Sequence, residues 1–117
     1  MTKIVNAKII DTMLGFEDHN IFTFMLTFEM DGTGQGYGGY ALDKWDEIRH
    51  KRIGSKLGTE AVMRILKTVG VDKWERLKGQ YVRLQYGDQG SGKIVAVGHI
   101  IKDQWFCMPD VLRDMGE

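Results

Sequence analysis

What the chain lacks bounds it first. It has one proline and one cysteine in 117 residues, and its sixteen basic residues are matched by sixteen acidic ones. A single cysteine, Cys107, cannot form an intrachain disulfide, and no cysteine-based metal cluster can be built around it. Zero formal charge lacks the basic excess by which proteins neutralise phosphate, so nucleic acid is not an expected partner, although a local basic patch stays open. No apolar run approaches the length that spans a bilayer, and Asn6 and Lys8 interrupt the N-terminus where a signal peptide would be apolar. With 43% hydrophobic residues the chain is expected to fold as one domain over residues 1–117, in the cytoplasm and away from membranes.

Glycine, by contrast, is concentrated. Asp31-Gly32-Thr33-Gly34-Gln35-Gly36-Tyr37-Gly38-Gly39-Tyr40 holds five of the fifteen glycines in ten residues, interleaved with two tyrosines. Such backbone can take positive φ and let another group come close.

The flanking pattern is β-like. Lys3 to Leu14 reads as a strand, Gly15 to Asn20 as a turn, and Phe22 to Met30 as a strand with Phe22, Phe24, Leu26, Phe28 and Met30 on one face. The glycine stretch turns or bulges the sheet, and Tyr37 to Leu42 returns as a third strand. Asp43 to Leu57 is charged and mixed, and reads as a surface connection whose Arg49, His50, Lys51 and Arg52 are partly offset by Asp46 and Glu47.

A helix is predicted from Thr59, as cap, to Gly70, with Val62, Ile65, Leu66 and Val69 as one apolar stripe across the sheet. Asp72-Lys73-Trp74-Glu75 has a capping-box pattern and predicts a short second helix to Leu77. Tyr81 to Tyr86 and Lys93 to Lys102 are the remaining strands, Trp105 and Phe106 close the sheet or cover an edge, and Val111 to Glu117 frays or turns. The expected fold is α+β: a mostly antiparallel sheet of about five strands with one main helix packed across it.

Two motif spacings fail on context. Gly87-Asp88-Gln89-Gly90-Ser91-Gly92-Lys93 has P-loop spacing, but Ile94 stands where a magnesium-binding hydroxyl is needed and β-rich sequence follows instead of a helix, so a hairpin is expected. Gly34-Gln35-Gly36-Tyr37-Gly38-Gly39 has dinucleotide-turn spacing without a βαβ unit around it. Its looser reading is a site where backbone amides between two rings hold a phosphate or stack a base. The same residues also read as a bulge whose tyrosines pack on the sheet.

His19, His50 and His99 lack ligand spacing, so no metal is expected. Ser55, Ser91 and Cys107 lack an elbow-like setting, and Asp18 beside His19 reads as turn chemistry. No catalytic constellation and no cofactor is expected.

Gly15-Phe16-Glu17-Asp18-His19, Gly36-Tyr37-Gly38-Gly39-Tyr40, Val69 to Gly79 and Gly98 to Phe106 together resemble small uncharacterised proteins encoded by bacteriophages and prophages. That resemblance implies a product working in the host bacterial cytoplasm, where small non-enzymatic proteins block host defence. Two functions follow as expectations. One is sequestration of a small anionic or aromatic, nucleotide-like ligand by Gly36, Tyr37, Gly38, Gly39 and Tyr40, with Arg83, His99 and Trp105 supplying cation and stacking surface. The other is inhibition of a host defence protein through an exposed strand edge or the Asp43 to Arg52 segment. A homo-oligomer is compatible with both.

Overall fold

A computed structural model of the protein describes residues 3–87 and 92–116. In chain order the elements are β1 (Lys3–Phe16), β2 (Phe22–Met30), β3 (Thr33–Gly38), β4 (Asp43–Asp46), β5 (Lys51–Gly54), α1 (Lys56–Val69), a 3-10 turn (Trp74–Arg76), β6 (Tyr81–Tyr86), β7 (Ile94–His99), β8 (Trp105–Phe106) and α2 (Met108–Met115). Six strands form one antiparallel sheet in the order β3-β2-β1-β6-β7-β8, and β4 pairs with β5 apart from it. The fold is therefore α+β, with the main helix α1 packed on the sheet.

The alternation of β2 decides which face is inside. Phe24, Leu26 and Phe28 are fully buried, and Phe22 and Met30 pack at the margin of the same core. Opposite them lie Ile9 and Ala7 on β1, Val82 and Leu84 on β6, and Val97 on β7. Phe24 is the hub: its ring lies 6.2–6.4 Å from those of Tyr37, Tyr40, Trp74 and Phe106. A flat sheet would separate β3 from β8 by about 24 Å, five strand spacings. Yet Tyr37 of β3 and Phe106 of β8 stand edge to face at 6.3 Å, so the sheet curls around its aromatic core.

Helix α1 begins earlier than its sequence predicts. The cap is Ser55, whose Oγ accepts the Gly58 N–H at 3.0 Å and donates to the Leu42 carbonyl at 2.8 Å. Gly58, a poor helix former by propensity, is required where it stands, because a Cβ there would meet the Leu42 oxygen at 1.9 Å. The small residues Gly58 and Ala61 roll the helix onto a face made of Leu57, Gly58, Ala61, Ile65, Thr68 and Val69. Val62 and Leu66, placed in the stripe by periodicity, are only partly buried. Gly70 ends the helix in the left-handed region, as expected.

Other boundaries move as well. The third strand is Thr33–Gly38 rather than Tyr37 to Leu42, because Gly38 and Gly39 take positive φ and turn the chain away. The Asp72 to Leu77 helix is reduced to the 3-10 turn, which no side chain caps. The strand expected over Lys93 to Lys102 is β7 and stops at His99, where Nδ1 accepts the Ile101 and Lys102 N–H groups at 3.0 and 2.9 Å and bends the chain. The C-terminal segment is a helix, α2, with Pro109 in its first turn and Gly116 beyond its end. Asp88, Gln89, Gly90 and Ser91 of the P-loop-like stretch lie outside the described residues. The Gly87 N–H meets the Lys93 carbonyl at 3.3 Å, and strand β7 follows.

Candidate functional site

The glycine strand β3 is built on a period of two. Gln35 and Tyr37 face inward and Gly34 and Gly36 outward, with Met25 of β2 lying over the outer side, its Sδ 3.2 Å from where a Gly36 Cβ would sit. Tyr37 is 5% exposed, its ring touches Phe24, Tyr40 and Phe106, and its hydroxyl accepts the Met108 N–H at the start of α2 at 3.0 Å. Burial pushes the Tyr37 phenol far above its ordinary pKa. Tyr40 packs on Phe24 in a stacked arrangement, and its carbonyl accepts the Thr23 hydroxyl at 2.6 Å. Both rings serve the core.

Arg83, His99 and Trp105 lie elsewhere. Arg83 alternates with the buried Val82 and Leu84 and so points to the outer face, where Gly98 of β7 and Trp105 of β8 are its successive cross-strand neighbours. Gly98 leaves room for the Trp105 ring to lie on the sheet, where any Cβ would be 2.5 Å from it. The Arg83 guanidinium stacks 4.8 Å over that ring and donates to the His99 and Lys102 carbonyls, each at 2.8 Å. The His99 ring sits beside Gly70 at the end of α1. The eight residues singled out from sequence are thus divided between the two faces of the sheet, and the tyrosines and the Arg83–Trp105 pair do not meet.

Three other features stand out. A cleft of about 270 Å³ between the base of β5 and the first turns of α1 is lined by Phe22, Leu42, Ser55, Gly58, Val62 and Met63, among others. Among the described residues, no three His, Cys, Asp or Glu side chains come together to hold a metal ion. His19 and Asp18 belong to an exposed turn organised by Glu17, whose Oε1 accepts the His19 N–H at 2.6 Å.

The third feature is the Asp43 to Arg52 segment, which is no loose connection. It is a β-hairpin that makes only slight contact with the other strands and helices. Its base is clamped by Asp43, whose carboxylate accepts the Phe22 N–H at 3.2 Å and takes two bonds from Arg52 at 2.8 and 3.0 Å. The Arg52 hydrogen bonds hold the Asp43 carboxyl below its usual pKa. Its tip is fixed by Asp46, which accepts the Ile48 and Arg49 N–H groups at 2.8 and 3.1 Å and pairs with the Arg49 guanidinium at 2.6 Å. His50 takes a left-handed φ of 51° to complete the turn. Ile48 is displayed at 90% exposure, with Trp45 half exposed behind it. An Asx-type turn was legible in Asp46, but the charged composition hid the strands on either side.

No helix among the described residues is long and apolar enough to cross a membrane. No protein-family model, curated protein or solved structure matches the chain.

Proposed function

We propose that the chain is a non-catalytic binding protein that seats its β4–β5 hairpin on a partner protein, and that the partner is a bacterial defence protein. The observation that carries the first part is Ile48, an isoleucine 90% exposed at the tip of a turn held by three hydrogen bonds that one carboxylate accepts. A preformed turn loses little freedom on binding, so the apolar contact it makes is realised almost in full. Lys44, Trp45, Arg49 and Lys51 surround the tip with the mixed charged and aromatic surface typical of interface margins. The second part rests on the resemblance to phage-encoded proteins. Sequestration of a nucleotide-like ligand ranks behind it, since the Tyr37 and Tyr40 rings it needs for stacking are engaged with Phe24.

A photo-crosslinking amino acid at position 48, expressed in bacterial cells, tests this reading. We expect one discrete protein adduct, absent when the same group replaces Ile101, which is 82% exposed in the bend after β7. Ile48→Asp should abolish biological activity while its unfolding free energy stays within about 0.5 kcal/mol of wild type, because no packed contact is lost. A diffuse ladder of adducts equal at both positions, or full activity of Ile48→Asp, overturns the assignment.

A further inference from the structure

Among the described residues no strand pairs with the outer side of β3, the first strand in the sheet order, and three of its six residues are glycine. The Gly39 N–H donates to the Phe24 carbonyl at 2.8 Å, which sets the phase of the β2–β3 ladder. In an antiparallel pair, alternate residues turn their N–H and C=O toward the neighbour, so Gln35 and Tyr37 bond to β2 while Gly34 and Gly36 aim theirs away from the sheet. Gly34 and Gly36 are both exposed, and neither carries a side chain to overhang the edge. Natural edges are guarded by charge, proline, bulges or very short strands. The opposite edge, β8, is two residues long and runs directly into α2, whereas residues 32–42 contain no charge and no proline.

From this we infer that β3 is a self-association surface: two copies pair antiparallel along β3 about Gly36, giving one continuous sheet of twelve strands, six from each copy. The edge is self-complementary in the way a two-fold interface demands. Gly36 faces Gly36 of the second copy, Gly34 faces Gly38, and no like charges are opposed because the whole stretch is neutral. The zero formal charge of the chain removes long-range repulsion between copies. Six residues give about 20 Å of edge, which covers far less than the roughly 800 Å² per partner of a stable interface. The association is therefore reversible, and dilution separates it.

Sedimentation velocity over a concentration series reads this directly, with the purified chain as its own probe. Wild type should shift from monomer to dimer as concentration rises. Gly36→Pro deletes the outward N–H without touching the β2 ladder. It should raise the dimer dissociation constant about twenty-five-fold, since two symmetry-related hydrogen bonds are lost at roughly fivefold each. Gly36→Ala keeps the N–H, presses tightly only on the flexible Met25 thioether and meets the Leu26 oxygen at an ordinary 3.6 Å, so it should still dimerise. If circular dichroism shows Gly36→Pro unfolded, Gly34→Lys takes its place, because a Cβ there meets only ordinary contact at 3.6 Å and the charge guards the edge. Amide exchange supplies a second readout: Gly34 and Gly36 amides should slow at high concentration while the Tyr37 amide does not change. A wild type that stays monomeric at its solubility limit overturns the inference, as does a folded edge variant with an unchanged dissociation constant. Ile48→Asp should leave the dimer intact, so failure here and failure of the hairpin reading are separable.

Discussion

Gly58→Val should leave the protein unfolded at ambient temperature, and Gly58→Ala should cost about 3 kcal/mol or more. Glycine inside a helix ordinarily destabilises it by about 1 kcal/mol relative to alanine, so propensity alone predicts a gain. Geometry reverses the sign. A Cβ on Gly58 would sit 1.9 Å from the Leu42 oxygen, 2.8 Å from its carbonyl carbon and 3.0 Å from its Cβ. Leu42 cannot retreat: its N–H donates to the Phe22 carbonyl at 2.7 Å, its carbonyl accepts the Ser55 hydroxyl at 2.8 Å, and its side chain is 2% exposed in the core. Overpacking against fixed backbone exceeds the few kcal/mol that a side chain could relieve by changing rotamer. Urea denaturation of Gly58→Ala, with Gly54→Ala as control, is the measurement. Gly54 lies four residues earlier with open space around it, so its substitution should stay within about 0.5 kcal/mol of wild type. Equal midpoints for the two variants would show that α1 is not seated on Leu42.

The same junction shows what sequence can and cannot reveal. The long periodic elements were legible, because the alternation of Phe22 to Met30 and the stop at Gly70 are local signals. Gly58 was not, because its reason for being glycine is a carbonyl sixteen residues earlier that only the folded chain brings near. The β4–β5 hairpin escaped for a different reason. Its strands are four residues each and five of those eight residues are charged, so they carry no apolar period, and the Asp46 turn and Asp43–Arg52 clamp that define them are polar. Helix α2 did carry signals, Pro109 at its start and Gly116 at its end, but its eight residues are too few for a period to stand out.

For the candidate site, composition misled where spacing would have served. Counting glycines and tyrosines between residues 31 and 40 suggests an open, ring-lined site. The order Gly34-Gln35-Gly36-Tyr37-Gly38 instead places every glycine on one face and the tyrosine on the other. That alternation is a strand signal with a bare outer face, and it is readable without a structure. What remained hidden was the curl of the sheet, which carries Tyr37 to Phe106 and to the first turn of α2. It arises from long-range pairing that no window of sequence contains.

That curl makes Tyr37 the second test with a large effect. Tyr37→Ala should destabilise the protein by about 3–5 kcal/mol, the range for deleting a buried aromatic side chain, with or without any ligand. Tyr37→Phe keeps the ring and removes only the hydroxyl, leaving the Met108 N–H without its acceptor, and should cost about 1–3 kcal/mol. The two variants therefore separate packing from hydrogen bonding at one position. Alkaline pH adds a third readout. Burial raises the folded pKa of Tyr37 above its ordinary value near 10, so the unfolded chain releases the proton first. The folded state then binds more protons than the unfolded one, and linkage requires stability to fall with rising pH. This contribution is complete below about pH 10 and drains away above it, by up to about 1.4 kcal/mol for each pH unit. Tyr86 is displaced in the same direction by its own burial, so the informative quantity is the difference between wild type and Tyr37→Phe, not either curve alone. The stability gap between the two should narrow steadily as pH climbs past 10, followed by urea midpoints in a buffer series. A gap that stays constant to the alkaline limit means that the Tyr37 hydroxyl titrates alike in the folded and unfolded chain and is not buried against α2.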